Sequence, residues 1–206
     1  MPSKSCSARV RGAASTPHST RTDMTPDDLS ALIRSRRSSL LIDAEREVPR
    51  DLVEQLVELV TWAPNHKRTW PWRLAVLTGE TRRTLGESIA SVMAAQGDDA
   101  PKVEKTRTKY LRSPIVIAAG AAPGDSPERT AENRYAVAAG LQNMLLAAHA
   151  HGLAALWGSP MRGANTAINA VCRFPADTEV LGLVYLGWPT GTVETPTRPA
   201  PDVNWL

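Results

Sequence analysis

The chain has 206 residues, 42% hydrophobic and 22% charged, which is typical of a soluble globular domain and not of a fibrous, disordered or membrane protein. Residues 1–23 hold four of the 24 Lys and Arg and one of the 21 Asp and Glu, which leaves 20 of each sign from Met24 onward. The net charge of +3 therefore lies outside the expected fold, and it does not indicate a nucleic-acid partner. No apolar run reaches the roughly 18–20 residues that predict a membrane span.

Residues 1–23 predict a disordered basic tail or a leader upstream of a start at Met24. They are rich in Ser, Thr, Ala and Pro and have almost no large apolar side chain, so burial cannot offset the entropy of ordering them. A transit peptide remains an alternative, whereas the apolar run of a secretory signal is missing. Two unpaired cysteines, Cys6 and Cys172, favour the reducing cytoplasm.

Residues 24–206 remain, and the first half of this range predicts helices around one short buried strand. Thr25 is a candidate N-cap because Pro26 and two acidic residues follow it, as in the first turn of a helix. The apolar spacing predicts a second helix from near Pro49 to before Pro64, a strand at Leu74–Leu77, and helices at 81–96 and 101–111.

The second half predicts three further strands and two helices. The strands are short apolar runs at Ile115–Ala118, Ala154–Trp157 and Val180–Leu186. Between them lie a buried helix at Tyr135–Ala150, which ends at Gly152, and a short helix at 164–172. A Pro- and Thr-rich arm then runs to Leu206, and we expect it to dock on another surface.

No local motif for side-chain catalysis is present: the sequence has no Gly-rich dinucleotide loop, P-loop, nucleophile elbow or paired-carboxylate spacing. His149 and His151 lie two residues apart, so a helix points them to different faces, and we expect them to meet terminal carbonyls and not a metal. Polar and cationic groups remain at the ends of elements, namely Arg36-Arg37-Ser38, His66-Lys67-Arg68, Gly158-Ser159 and Arg198. Arginines beside a hydroxyl suit a phosphate, although an ordinary solvated helix end is the simpler explanation of the first group when it is taken alone.

The joint order of these motifs resembles the FMN-dependent nitroreductase family, and within it the compact YdjA-like branch. The motifs are Arg-Arg-Ser after the first helix, an Ala-Pro-Asn-His-Lys loop before Trp-Pro-Trp, then Leu-Trp-Gly-Ser and Tyr-Leu-Gly. The resemblance extends from Met24 to Leu206. It implies an α+β nitroreductase-like fold with a central, mainly antiparallel sheet flanked by helices. It also implies an interlocked homodimer that exchanges C-terminal arms and binds FMN at the subunit interface.

The resemblance also implies roles for nine residues of an FMN-binding domain at 24–206. The expected phosphate and ribityl contacts are Arg36, Arg37, Ser38 and Arg198. The residues expected to line the flavin are Trp157, Gly158 and Ser159, with Trp62 and His66 contributed by the other subunit.

Two positions depart from the family pattern. Leu40 stands where many members place a cation near the pyrimidine edge of the flavin, so Lys67 or Arg68 becomes the candidate to replace it. Trp70 stands where a glutamine is common, close to the expected entrance for substrates. Gln142 and Asn143 resemble a pair found in many members, but packing within the helix explains them equally well.

The function implied by the resemblance is an FMN-dependent NAD(P)H oxidoreductase. Hydride would pass from NADH or NADPH through flavin N5 to a small acceptor, such as a nitroaromatic or a quinone, in a ping-pong scheme. The cofactor carries this chemistry, so no catalytic side chain, metal, nucleic acid or membrane is expected. The alternative is a protein that binds or sequesters flavin with little turnover, favoured by Leu40 and by the bulk of Trp70.

Overall fold

The computed structural model describes residues 24–206, so the expectations for residues 1–23 lie outside it. The helices are α1 (Pro26–Ser35), α2 (Arg50–Glu58), α3 (Glu80–Ala95), α4 (Ala100–Thr108), α5 (Pro127–Ala150) and α6 (Asn165–Cys172). The strands are β1 (Trp72–Leu77), β2 (Ile115–Ala121), β3 (Ala154–Gly158) and β4 (Glu179–Gly187). Within these residues no helix combines the length and apolar character needed to cross a bilayer.

The four strands form one antiparallel sheet in the order β1-β2-β4-β3. The central pair β2 and β4 aligns Ile117 with Val184, and its register shifts between Ala119 and Gly120. This sheet and its helices confirm the expected α+β fold with an antiparallel sheet.

Strand β2 forms the centre of the core because all seven of its residues are buried. Alternate residues point to opposite faces of a strand, and the two faces of β2 belong to two separate apolar clusters. One cluster contains Leu56 of α2 and Leu141 of α5, and the other contains Ile89 of α3 and Ile168 of α6. The sheet is thus covered by helices on both faces.

Helix α1 begins as the sequence predicts but buries none of its side chains. The Thr25 hydroxyl accepts a hydrogen bond from the Asp28 amide, and the Asp28 carboxylate accepts one from the Thr25 amide. Pro26 occupies the first turn. The apolar residues Leu29 and Ile33 are 46% and 50% exposed, so the described chain covers only about half of each side chain.

Helix α5 differs from the prediction because it starts at Pro127 and not at Tyr135. Ser126 caps it by accepting the Arg129 amide, and ion pairs support its polar first turns, including Arg129 with Glu132. The expected helix at 101–111 is also shorter, since α4 ends at Thr108 and a 3-10 turn follows. The run of apolar residues therefore predicted the buried part of α5 but not its polar first turns.

The described chain ends in an extended arm. Residues 191–206 contain neither helix nor strand, and all are exposed. The arm carries two large apolar groups at its end, Trp205 and Leu206, without burying them. Docking of this arm on a second copy remains a prediction.

Candidate functional site

The segment after α1 is fixed along the edge of the sheet. Ser38 forms a parallel bridge with Ala155 of β3, and the Ser39 amide donates to the Ala155 carbonyl at 3.0 Å. Further along, the Asp43 amide donates to the Trp188 carbonyl at 2.8 Å. The segment therefore lies between β3 and the chain that leaves β4, and this holds the Arg36-Arg37-Ser38 motif at the sheet edge.

The charges of Arg37 and Arg198 act on the guanidinium of Arg36 at this edge. Partial burial lowers the pKa of Arg36, and the nearby charges of Arg198 and Arg37 lower it further. No carboxylate lies within 4.0 Å of any of the three among residues 24–206. Like charges gathered without acidic partners repel one another, so the arrangement gains stability when an anion binds.

The guanidinium of Arg37 has one nitrogen bonded to the end of α1 and another that is buried without a partner in the described chain. Its Nη1 donates to the carbonyls of Arg34 and Arg36 at 2.5 and 2.8 Å, so it caps the last turn of α1. Its Nε is buried and has no hydrogen-bond partner within the described chain. An unpartnered buried donor is costly, and a phosphate oxygen would satisfy it.

His149 joins this cluster from the end of α5, which the sequence did not predict. Its Nε2 lies 2.9 Å from the Ser35 Oγ in a hydrogen bond, in place of the expected contact with terminal carbonyls. A cavity of about 290 Å³ separates the end of α5 from Arg37 and from the start of the arm. Partial burial and the charges of Arg36 and Arg37 lower the pKa of His149. The ring is therefore biased toward its neutral form.

The loop before β1 has an unusual backbone. Lys67, Arg68 and Trp70 adopt φ angles of 60°, 52° and 50°, a left-handed region that non-glycine residues rarely enter. The Asn65 side chain holds this shape by accepting the Trp70 amide at 2.9 Å and donating to Thr69 Oγ1 at 3.0 Å.

A buried side chain of α5 anchors this loop to the sheet. The Thr69 hydroxyl donates to Asn133 Oδ1 at 2.6 Å, and Asn133 Nδ2 donates to the Ala122 carbonyl at 3.0 Å. Asn133 is only 1% exposed. The left-handed turns are thus fixed by a continuous chain of polar contacts.

Trp62 and Trp157 lie on different elements, and each indole is held by one hydrogen bond. The Trp62 Nε1 donates to the Glu58 carboxylate, and its ring remains 73% exposed. The Trp157 Nε1 donates to the Leu181 carbonyl at 3.2 Å. A Cβ on Gly182 would lie 1.8 Å from the same nitrogen, so this glycine makes room for the indole.

The structure brings only part of the expected site together within one chain. Arg36 and Arg37 precede Ser38, and Arg198 is near enough for its charge to act on Arg36. The Ser38 bridge to Ala155 places this segment next to β3, which contains Trp157 and Gly158 and is followed by Ser159. Trp62 lines a separate cavity, and His66 is exposed in the same loop.

The two polar residues left undecided on α5 have no place in this cluster. Asn143 Nδ2 donates to the Leu59 carbonyl at 3.4 Å, which supports a packing role, and Gln142 is exposed. The residues that sequence reasoning missed are His149 and Asn133. Both are polar residues in a helix whose buried face is mainly apolar, and that contrast was the available signal.

The sequence model of the nitroreductase family matches residues 33–188. The chain belongs to the nitroreductase family. A curated relative, named as the NAD(P)H nitroreductase YdjA of Escherichia coli strain K12, is 25% identical over 184 residues, covering 87% of this chain and 100% of the relative. This membership confirms the expected family and the expected enzyme class, an oxidoreductase of the nitroreductase type.

Solved nitroreductase structures share the fold. A nitroreductase-like family protein from Bacillus cereus superimposes with a TM-score of 0.71 at 25% identity, covering 86% of this chain and 94% of that one. A nitroreductase from Bacteroides fragilis, solved with bound FMN, also gives 0.71 at 20% identity and covers 87% and 98% of the two chains. The nitroreductase-like fold expected from the motifs is therefore confirmed.

Proposed function

We propose that the protein is an FMN-dependent NAD(P)H oxidoreductase whose FMN-binding domain is residues 24–206. Hydride from NADH or NADPH would reach a small acceptor, such as a nitroaromatic or a quinone, by way of the flavin. The name of the E. coli relative and the FMN bound in the B. fragilis structure support the cofactor pair. The observation that carries the proposal is the buried Nε of Arg37, which has no hydrogen-bond partner among residues 24–206, in a segment where neither Arg36 nor Arg37 has an acidic partner in that range.

The residues present at this cluster fit the phosphate of FMN. A phosphate carries close to two negative charges and accepts several charge-assisted hydrogen bonds. Arg36 and Arg198 would neutralise it, the unpartnered Nε of Arg37 would donate to it, and the Ser38 hydroxyl would complete the contacts. When bound, FMN supplies the two-electron redox chemistry that no side chain provides.

The end of β3 is the proposed wall for the flavin ring. Trp157 is 36% exposed there, and Gly158 and Ser159 follow where the strand ends, so their backbone amides are candidate donors to the ring. Leu40 lies two residues beyond Ser38 on the adjoining segment and is 38% exposed. A leucine gives no electrostatic stabilisation to a reduced, anionic flavin, so we expect a lower reduction potential than a cation at this position would give.

We propose that the active protein is a homodimer. The exposed stripe of Leu29 and Ile33 on α1 and the exposed arm at 191–206 would then gain burial against a second copy. The loop carrying Trp62 and His66 lines a different cavity from the arginine cluster of its own chain, which fits a site completed by the partner.

In the proposed reaction the side chains bind and orient, and none needs to act as acid, base or nucleophile. The arginine cluster holds the cofactor phosphate, the β3 end positions the ring, and the aromatic loop limits access of water. Reductant and acceptor would use the same open face in turn, as in a ping-pong scheme. The free thiol Cys172 is consistent with a cytoplasmic location.

The absorption spectrum of the purified protein tests the proposal first. We expect the bands of oxidised flavin, identified as FMN after denaturation, and bleaching of these bands on anaerobic mixing with NADPH or NADH. A colourless protein that also fails to take up added FMN would overturn the proposal. Bound FMN that stays oxidised with both nucleotides would instead support the flavin-sequestering alternative.

A further inference from the structure

The loop between α2 and β1 encloses a cavity of about 410 Å³ with aromatic walls. Trp62, Trp70 and Trp72 line it together with Arg68. Trp62 and Trp70 are 73% and 61% exposed, and the Trp70 and Trp72 ring centroids are 5.9 Å apart at a tilt of 51°. A cavity of this size with indole walls accepts a planar ring through face and edge contacts.

The charges around the cavity leave one cation without a protein partner. No Asp or Glu occurs between Glu58 and Glu80 in the sequence. The Glu58 carboxylate also lines the cavity and accepts the indole N–H of Trp62; it keeps its negative charge, so an anionic group is favoured only beside Arg68. The Arg73 Nη1 donates to the Trp72 carbonyl at 3.0 Å. Arg68 has no carboxylate within 4.0 Å in the range 24–206. Its guanidinium is the group available to a ligand.

The hydrogen-bonded backbone fixes the positions in the loop from which Arg68 and Trp70 extend. Arg68 and Trp70 both adopt left-handed φ angles, which cost free energy for residues with a Cβ. The hydrogen bonds from Asn65 and from Thr69 to Asn133 compensate for that cost. A strained turn that presents a tryptophan and a free arginine on one cavity is a preorganised binding surface.

We propose that this cavity binds the electron acceptor and selects planar aromatic compounds that carry an anionic substituent. The inference rests on the proposed oxidoreductase function and specifies its substrate class. Trp62 and Trp70 stack on the ring of the acceptor, and Arg68 pairs with its carboxylate or an equivalent anion. Trp70 is thus a specificity-determining residue of this chain.

Calorimetric titration of the FMN-loaded protein, without reductant, tests the selection. Three probes share a nitrobenzene ring and differ in charge: 4-nitrobenzoate, 4-nitrobenzyl alcohol and 4-nitrobenzylamine. We expect the anion to bind roughly tenfold more tightly than the alcohol because it forms a charge-assisted pair, and the amine to bind most weakly. Equal affinity for the three probes would refute the selection.

Variants identify the residues responsible. Arg68→Gln should abolish the preference for the anion while leaving affinity for the alcohol within about twofold. Trp70→Asn, which tolerates the left-handed backbone, should weaken all three probes several-fold. The matched control is Arg173→Gln, because Arg173 is also an exposed arginine with a left-handed φ of 56° but lies at the end of α6. A preference that survives Arg68→Gln, or disappears in the control, would overturn the assignment.

The outcomes separate this inference from the proposed function. FMN content, its bleaching by NADPH and the unfolding midpoint are measured on each preparation. Bleaching without any charge preference refutes the selection and leaves the oxidoreductase intact. A protein that lacks FMN and takes up none when it is added refutes the oxidoreductase, and the titrations on it still decide whether the cavity binds aromatic anions. Failure of all three probes to bind would contradict the proposal. If the tryptophan emission also shifts with protein concentration, a second copy covers the cavity.

Discussion

Replacing Asn133 with alanine tests whether the loop before β1 is held by polar contacts from α5. The substitution removes the acceptor of the Thr69 hydroxyl and the donor to the Ala122 carbonyl, at 2.6 and 3.0 Å. Each lost hydrogen bond costs about 1 kcal/mol, and leaving the partly buried partners unsatisfied raises this to about 1–3 kcal/mol each. Alanine recovers about 0.5 kcal/mol of helix propensity. We therefore expect the free energy of unfolding to fall by about 1.5–5.5 kcal/mol.

Urea unfolding measures the total effect, and tryptic cleavage after Lys67 and Arg68 measures the local one. Both residues are exposed, so release of the loop should accelerate cleavage there more than elsewhere in the chain. The matched control is Asn143→Ala on the same helix, whose one hydrogen bond is long at 3.4 Å, and it should cost less than about 1 kcal/mol.

A double-mutant cycle with Thr69→Val isolates the contact itself. A coupling energy of at least about 0.5 kcal/mol is expected between the two positions if the hydroxyl and the amide act together. Two additive single effects, or an Asn133→Ala protein as stable and as resistant to trypsin as the wild type, would show that the left-handed turns need no support from α5.

Three further predictions concern the arginine cluster and the packing of α5. Arg36→Ala should weaken FMN binding roughly tenfold to a hundredfold in a fluorescence titration, because a charge-assisted phosphate contact is lost, and unchanged affinity would refute that role. Gly140→Ala should destabilise the fold by about 1–3 kcal/mol on urea unfolding, since its Cβ would lie 2.3 Å from the Val60 carbonyl oxygen, and this outweighs the roughly 1 kcal/mol gain in helix propensity. Burial and adjacent arginines depress the pKa of folded His149 below its ordinary 6.5, so the unfolded chain binds more protons and stability should be lost as pH falls below 6.5. His149→Gln should remove part of that loss between pH 7.5 and 5.5, and an identical pH profile would contradict the depressed pKa.

The buried strands were the most predictable part of the fold. Short apolar runs between turn residues placed all four strands, although each extends beyond the predicted bounds by one to three residues at one or both ends. The polar first turns of α5 escaped prediction because ion pairs and the cap at Ser126 stabilise them, and apolar periodicity does not register such contacts.

The sequence motifs of the candidate site could be predicted, but the hydrogen bonds between their side chains could not. The Arg36-Arg37-Ser38 motif stood out in the sequence, but the capping of α1 by Arg37 depends on the path of its side chain. The contact of Ser35 with His149 joins residues 114 apart, and that of Thr69 with Asn133 joins residues 64 apart. Hydrogen bonds between distant polar side chains have no periodic signature, so only the tertiary structure reveals them.

Arg198 is the one member of the arginine cluster that belongs to the exposed arm, and this position links two equilibria. An anion that holds Arg198 against Arg36 restricts the arm, and any surface that orders the arm brings Arg198 to the anion already in place. Thermodynamic linkage requires these effects to be equal. If a second copy is the surface that orders the arm, phosphate binding tightens the dimer by the same factor by which dimerisation tightens phosphate binding. Cofactor affinity would then rise with protein concentration over the range in which the chains associate.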